Sequence, residues 1–464
     1  MRNQEIKFHS TNYKSEDVDF KKAVLTGQAS DKGLYMLNEI EQLDDDLIYS
    51  FRNLTFQEIA LEVLANLISN AIPRNQLRKI IEEALNFEIP VKTIIDNDYM
   101  CYLDRGPTAS FKDIGARSLA KIMEYFLEIE KKKIVILTAT SGDTGGAIAQ
   151  AFYKMSNINV VVLYPKNEIS ELQRKQMTTL GENITAIGIN GKFDDCQRYA
   201  KKAFADKDLI PLNLSSANSI NIGRLLPQTL YYFWSYSRIV DKKNEEIIFS
   251  VPSGNFGNLT GGLIAYKMGL PVKRFIVAVN ENDEFPQFLK SGKYEKVEPS
   301  IHCISNAMNV GHPSNLARII DLYGGQIDEQ GNQISIPDLD KMRNLLVSYS
   351  ISDRITKKTI KEFYQTHHGV IEPHGAVGWA ALKVFRDKYL SEEGIKAICF
   401  ETADPAKFPD EIIKLIEINP KIPKSLITIQ NKREIPNPVE IDNYQDFKNY
   451  LQKDFFVPRD EFSY

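Results

Sequence analysis

Cysteine is scarce in this chain. Its 464 residues include four, Cys101, Cys196, Cys303 and Cys399, and no two of them lie close together. That scatter excludes a zinc ribbon and a redox Cys-x-x-Cys pair and suits a reducing compartment. Long apolar runs are missing as well, since none approaches the ~18 residues that a membrane-spanning helix requires. The charged opening lacks the apolar stretch of a secretory signal, so a cytoplasmic location is expected. Charge of one sign is not in excess: 57 Lys and Arg against 61 Asp and Glu leave −4. Neither nucleic acid nor a membrane surface is then an expected partner. Internal repeats and low-complexity tracts are absent. What remains is 43% hydrophobic and 25% charged, the balance of an ordinary globular protein with room for two or three domains.

Three regions can be read along the chain. Residues 1–95 open with a short β-like segment and become helical, with apolar positions at helical spacing over 56–69 and again over 76–86. Residues 96–225 alternate strands with helices. The strand candidates are 134–138, 159–164, 184–189 and 209–214, and the helical stretches include 168–180 and 193–206. Residues 226–464 repeat that alternation, with strands over 247–251, 274–280 and 395–402 and helices over 314–323, 357–367 and 376–389. Alternation of this kind predicts an α/β protein with two open parallel sheets covered by helices, beside a mostly helical N-terminal domain. Beyond about residue 420 the pattern carries little signal.

The chemistry concentrates in three short segments. Lys112 sits in RGPTASFKDIGARS (105–118), beside Phe111 and small residues that can desolvate its ammonium. Burial lowers a lysine's pKa and frees the amine for attack on carbonyls. A lone lysine at a helix start is more often simply solvated. TATSGDTGGAIAQAF (138–152) and VPSGNFGNLTGGLIA (251–265) each follow an apolar strand candidate and lead into a helix. Free N–H groups and the helix dipole at such junctions favour anions. The bland alternative is a tight turn that needs glycine for shape alone. Neither loop has the Gly-Lys-Ser/Thr ending of a P-loop or the spaced three-glycine dinucleotide fingerprint. One cofactor phosphate and a second anion, such as a carboxylate, suit two short cradles better than a nucleotide does.

These segments, with ANSINIGRLLPQ (217–228), LPVKRFIVAVNENDEFPQFL (270–289), EPHGAVGWAAL (372–382), ETADPAKFP (401–409) and the opening DFKKAVLTGQASDKGLYML (19–37), resemble the threonine synthase family. That family lies within the fold-type II enzymes dependent on pyridoxal 5'-phosphate (PLP). The matches keep their order from about residue 20 to about residue 410. The resemblance implies conversion of O-phospho-L-homoserine and water to L-threonine and phosphate. It also implies that Lys112 carries PLP covalently and acts as the acid and base once freed. Gly254, Asn255, Phe256, Gly257 and Asn258 would take the PLP phosphate, and Thr402 the ring nitrogen, where a neutral hydroxyl should leave the ring less electron-withdrawing. Ser141, Gly142, Asp143 and Thr144 would gather around the substrate carboxylate, and Asn218, Ser219, Asn221 and Arg224 around its phosphate. No metal is implied.

The residues alone leave room for plainer readings. Thr402 could be a strand-end residue satisfying a backbone group, Ser219 an N-cap and Arg224 a solvated side chain. Three places depart from the family's usual residues: Asp404 for His, Gly375 for Thr, and Thr11-Asn12 for Arg-Gly. Two rival functions stay open here. One is a PLP-dependent phosphoamino-acid lyase that releases a keto acid. The other is a non-catalytic relative that binds PLP or a ligand. A monomer or homodimer is expected.

Overall fold

The computed structural model describes residues 6–140, 142–435, 441 and 443–455. Phe8–Ser10 (β1) pairs antiparallel with Tyr35–Leu37 (β2). The loop between them is pinned by Thr11, whose Oγ1 accepts from Leu34 N–H at 2.9 Å, and by Asn12, whose Nδ2 donates to Asp31 O at 3.0 Å. The two residues that depart from Arg-Gly thus serve a buried turn. Helices Phe56–Ile68 and Arg74–Ala84 follow. Thr55 starts the first with a reciprocal cap to Glu58, the arrangement that satisfies two orphan N–H groups at once.

Val91–Ile95 (β3) and Asp98–Tyr102 (β4) form a hairpin. Ile134–Ala139 (β5), Ile158–Pro165 (β6), Ile184–Ile189 (β7) and Leu214–Ser215 (β8) make a four-stranded sheet in the order β7-β6-β5-β8, with every pair parallel. Ile247–Pro252 (β9), Val272–Val279 (β10), Leu346–Ser350 (β13) and Ala397–Glu401 (β14) join the hairpin in a six-stranded sheet, order β13-β10-β9-β14-β4-β3. A small ribbon of Gln326–Ile327 (β11) and Gln333–Ser335 (β12) lies apart from both. The expected α/β architecture with two parallel sheets is therefore present. All six residues of β5 and of β9 and all five of β14 are buried, as strands covered on both faces must be. Phe249, Phe275, Phe400 and Tyr232 pack ring to ring across the larger sheet, each burial contributing about 1.5–3 kcal/mol.

Some segments differ from the sequence pattern. The strand expected over 209–214 is a 3-10 helix, Lys207–Leu212, with Pro211 inside it. Proline donates nothing to a ladder, so only Leu214 and Ser215 pair with β5. The hairpin and β13 were not anticipated, because β3 is mostly exposed and carries no clean apolar alternation. Both hairpin strands belong to the larger sheet, so the division expected at residues 95 and 96 runs between paired strands. The C-terminal helix Tyr444–Phe455 returns to the smaller sheet, where Tyr444, Phe447 and Leu451 pack with Val135, Leu137 and Tyr199.

Strand order places the functional loops. In the smaller sheet the chain runs outward from β5 through β6 to β7 and then returns to β8 on the other side of β5. In the larger sheet it runs from β9 through β10 to β13, and β14 lies on the opposite side of β9. Each reversal opens a crevice beyond the carboxyl ends of two parallel strands, where ligands bind in open α/β sheets. The segments after β5, β8, β9 and β14 are those that the sequence motifs single out.

Candidate active site

Lys112 starts the helix Lys112–Glu130. The loop before it is tied to the end of β14: Phe111 N–H donates to Thr402 O at 2.9 Å, and Asp404 N–H to Ala109 O at 3.1 Å. Asp113 shapes the turn from within, accepting from Thr108 N–H at 2.9 Å and from Thr108 Oγ1 at 2.7 Å. A side chain at Gly106 would collide with Asp113 Oδ2 at 2.3 Å, which accounts for that glycine. Burial pulls the Lys112 amine down to about 8, and the positive charges of Lys407 and Arg224 add to this while Asp143 opposes it.

Asp143 opens the helix Asp143–Ala151 after Gly142, whose φ of +131° is open to glycine. Its carboxylate does not face empty space. Lys407 Nζ donates to Oδ1 at 2.8 Å, Gln173 Nε2 to Oδ1 at 3.1 Å, and Lys112 Nζ lies 3.8 Å from Oδ2. Burial pushes the Asp143 carboxyl up, but Lys407 and Lys112 outweigh burial and hold it well below the usual carboxylate range. The Gly142 N–H is taken by Thr140 Oγ1 at 2.9 Å. Thr144 lies in the first turn of the same helix. Ser141 lies outside the described residues.

The segment after β8 carries the second group. Arg224 is buried, and its Nη1 donates to Ala217 O at 2.7 Å. Among the described residues no carboxylate pairs with it. Burial lowers its pKa to about 10. Asn218 accepts from Thr138 Oγ1 through its Oδ1, and Ser219 is half-buried beside it. Arg318, fully buried on another helix, clamps this turn by donating to Ser219 O at 3.3 Å and Ile220 O at 2.6 Å. Asn221 is a correction. Its Nδ2 donates to Val24 O and Ser216 O, both at 2.9 Å, and its Oδ1 caps Gly223 N–H. Both amide hydrogens are spent on backbone, so none is left for a phosphate. The helix cap is therefore Asn221 and not Ser219, and Arg224 is not solvated.

After β9, residues Gly254–Asn258 lead into the helix Gly257–Lys267, with Phe256 in the left-handed region at φ +58°. Among the described residues the N–H groups of Gly254, Asn255, Phe256, Gly257 and Asn258 meet no acceptor. A Cβ on Gly254 would press on Ala307 O and Met308 Cα at 2.9 Å. Asn258 Oδ1 accepts from Tyr232 OH at 2.8 Å, while its buried Nδ2 has no partner. Thr402 follows β14, and its hydroxyl donates to Glu372 Oε1 at 3.0 Å.

Sequence reasoning missed Lys407, Glu372, Gln173 and Arg318. Lys407 and Glu372 stand inside ETADPAKFP and EPHGAVGWAAL, and a lysine among apolar neighbours was a readable signal. Gln173 and Arg318 reach the site only through tertiary packing and had none.

A lysine of lowered pKa, an N–H cradle at a helix start and a hydroxyl at a strand end suit an enzyme that works through a phosphorylated aldehyde cofactor. Residues 101–400 match the family model described as pyridoxal-phosphate dependent enzyme. Residues 7–85 match that of the threonine synthase N terminus, and residues 375–450 that of the threonine synthase C-terminal region. The chain is 39% identical over 433 residues to a threonine synthase of Buchnera aphidicola, covering 93% of this chain and 95% of that one. It resembles the crystal structure of Escherichia coli threonine synthase, with a TM-score of 0.85, 34% identity and coverage of 96% and 99%. Against the PLP-bound threonine synthase of Brucella melitensis the TM-score is 0.88 at 30% identity, with coverage of 97% and 99%. The chain belongs to the threonine synthase family. These relatives do not favour the keto-acid lyase or the non-catalytic reading.

Proposed function

We propose that the protein converts O-phospho-L-homoserine and water to L-threonine and phosphate, using PLP. The observation that carries the substrate reading is Arg224. An unpaired guanidinium that is 4% exposed costs several kcal/mol unless an anion joins it, and a substrate phosphate is such an anion. Asn218 and Ser219 stand beside it with polar groups, and Arg318 holds the turn through Ser219 O and Ile220 O.

The residues present fit PLP. The N–H groups of Gly254–Asn258 would hold its phosphate, with the orphaned Asn258 Nδ2 close at hand, Lys112 would bind it covalently, and Thr402 would meet its ring nitrogen. Bound there, PLP supplies an electron sink for charge developing at the substrate carbons. The freed Lys112 Nζ moves protons at Cα, Cβ and Cγ while phosphate leaves Cγ and water adds at Cβ. A base whose pKa is about 8 can both take and return protons near neutral pH. Thr144 and the helix start at Asp143 would receive the substrate carboxylate. Lys407 neutralises Asp143, which removes the repulsion that an aspartate would otherwise present. No helix among the described residues is long and apolar enough to cross a membrane. We take the cytoplasm as the location and a monomer or homodimer as the assembly, which fractionation and sedimentation velocity check.

The test is incubation of the purified protein with PLP and O-phosphohomoserine, assaying threonine and phosphate together. Equal yields of the two support the reading. Phosphate accompanied by 2-oxobutanoate would assign the lyase instead.

A further inference from the structure

Two carbonyls in the turn after β8 are held from behind. Arg318, on the helix Leu316–Leu322, is 0% exposed and donates from Nη2 to Ile220 O at 2.6 Å and from Nη1 to Ser219 O at 3.3 Å. Asn315 Nδ2 gives Ser219 O a second donor at 3.3 Å, and Arg318 Nη1 holds Asn315 Oδ1 at 2.6 Å. Both lone pairs of Ser219 O are thereby filled. Arg318 Nε is fixed in turn by Tyr35 O of β2 at 2.9 Å. One buried side chain thus ties the N-terminal ribbon to this turn. In a planar trans peptide the carbonyl and the N–H point in opposite directions, and the peptide that carries Ser219 O also carries Ile220 N–H. With that carbonyl turned inward, towards a side chain no solvent reaches, the N–H faces the other way. Ser219 and Ile220 are half-buried, so the turn has an open side, and Ile220 N–H meets no acceptor among the described residues. Arg224 belongs to the same turn and reaches back to Ala217 O through Nη1. Asn221, whose amide is spent on Val24 O and Ser216 O, leaves the anion site one donor short.

We infer that Ile220 N–H supplies that donor, binding the substrate's phosphate beside Arg224, and that Arg318 is a positioning residue that aims it without touching substrate. The inference rests on the functional reading above, which brings that phosphate to Arg224. A backbone N–H carries no net charge, so its contribution depends on being oriented before the anion arrives. A lysine at 318 would keep the positive charge. Its single nitrogen cannot reach Tyr35 O, Ser219 O and Ile220 O together, as the planar guanidinium does. Arg318→Lys therefore separates the aim of the turn from the charge behind it.

The experiment uses PLP-loaded holoenzyme, so that the cofactor's own phosphate cradle is filled. Arg318→Lys should raise the KM for O-phosphohomoserine and the dissociation constant of inorganic phosphate together, on the order of 10-fold, the scale of one hydrogen bond to a charged group. L-threonine lacks the phosphate, and the concentration at which it half-changes the cofactor's visible absorbance should not move. Unchanged phosphate affinity overturns the inference, and so does an equal loss of threonine affinity, which would make Arg318 merely structural. A second measurement needs no variant at 318. Labelling serine at the carbonyl carbon and isoleucine at the amide nitrogen reports the Ser-Ile peptides at 219–220, 300–301, 335–336 and 350–351, and Ile220→Val identifies the first by its disappearance. Inorganic phosphate should shift the Ile220 amide resonance and leave the other three in place. An unmoved Ile220 amide overturns the inference even if Arg318→Lys does not fold. Turnover by the same preparation separates the two levels of the argument. Failure to form threonine from O-phosphohomoserine overturns the functional reading and this inference with it. Threonine formed beside an unmoved Ile220 amide overturns the inference alone.

Discussion

Replacing Lys407 with methionine is the sharpest perturbation the site offers. Its side chain is 0% exposed and that of its partner Asp143 is 5% exposed, with 2.8 Å between Nζ and Oδ1. Removing one member of such a pair strands the other charge and typically costs about 3–5 kcal/mol. Asp143 would keep Gln173 and gain fuller use of Lys112, now 3.8 Å away, so the lower end, about 3 kcal/mol, is expected for Lys407→Met. Asp143→Asn combined with Lys407→Met removes both charges while nearly preserving shape, and should cost less than Lys407→Met alone. Urea unfolding of the apoproteins, compared at the same transition, gives the cycle. A second readout follows from Lys112. Burial first, and then the charges of Lys407 and Arg224, hold its amine near 8. Only the neutral amine attacks PLP, so cofactor uptake by the apoprotein should rise with pH and reach half its maximum near 8. Without Lys407 the Asp143 carboxylate turns to Lys112, stabilises its charged form, and moves that midpoint to higher pH. A variant within about 0.5 kcal/mol of the parent protein, or an unmoved midpoint, would refute the reasoning.

Further predictions test separate parts of the site. Arg224→Ala should weaken productive binding of O-phosphohomoserine by about 2–5 kcal/mol and leave PLP absorbance unchanged, whereas equal loss of both would make Arg224 structural. Gly375→Ala should cost at least ~1–3 kcal/mol through overpacking, because its Cβ would fall 1.7 Å from Glu401 Oε2. A thermal midpoint of Gly375→Ala equal to the parent's would contradict the clash. Asp404→Asn should behave like the parent, whereas Asp404→Ala should lose about 1 kcal/mol of capping, seen as a lowered urea midpoint with the threonine-to-2-oxobutanoate ratio unmoved.

Much of this was legible in the sequence, and the reasons differ by element. β5, β7 and β9 are mostly apolar runs with a glycine two or three residues past their ends, and they fold where the pattern puts them. The helix at Phe56–Ile68 carries its own cap and spacing, and that at Phe193–Ala205 its spacing. By contrast β4, with an interrupted apolar pattern, is a strand because β14 lies beside it, and β8 is cut to two residues by Pro211. The loops around Lys112, Gly142 and Gly254 could be found because tight turns and close approaches demand small residues. Asn221 was misread because one amide can bind a phosphate or a backbone, and only tertiary contacts show which. Arg318 lies far along the chain from the turn it clamps, so its part in the site has no local mark.

The two departures near the site have local physical explanations. Glu401, the last residue of β14, is buried and sends its carboxyl into the space a side chain at 375 would occupy, and it accepts Glu372 N–H at 2.8 Å. Burial, and then the neighbouring Glu372 and Asp104, push the Glu401 carboxyl well up, and the side chain fills the volume beside residue 375. Glycine at 375 is the residue that this acid permits. Asp404 accepts Ala406 N–H at 2.9 Å and caps the short turn Pro405–Lys407, while Arg105 approaches its other oxygen at 3.8 Å. That turn delivers Lys407 to Asp143. Each departure thus preserves backbone and charge geometry around Lys112, and neither puts a new group against it.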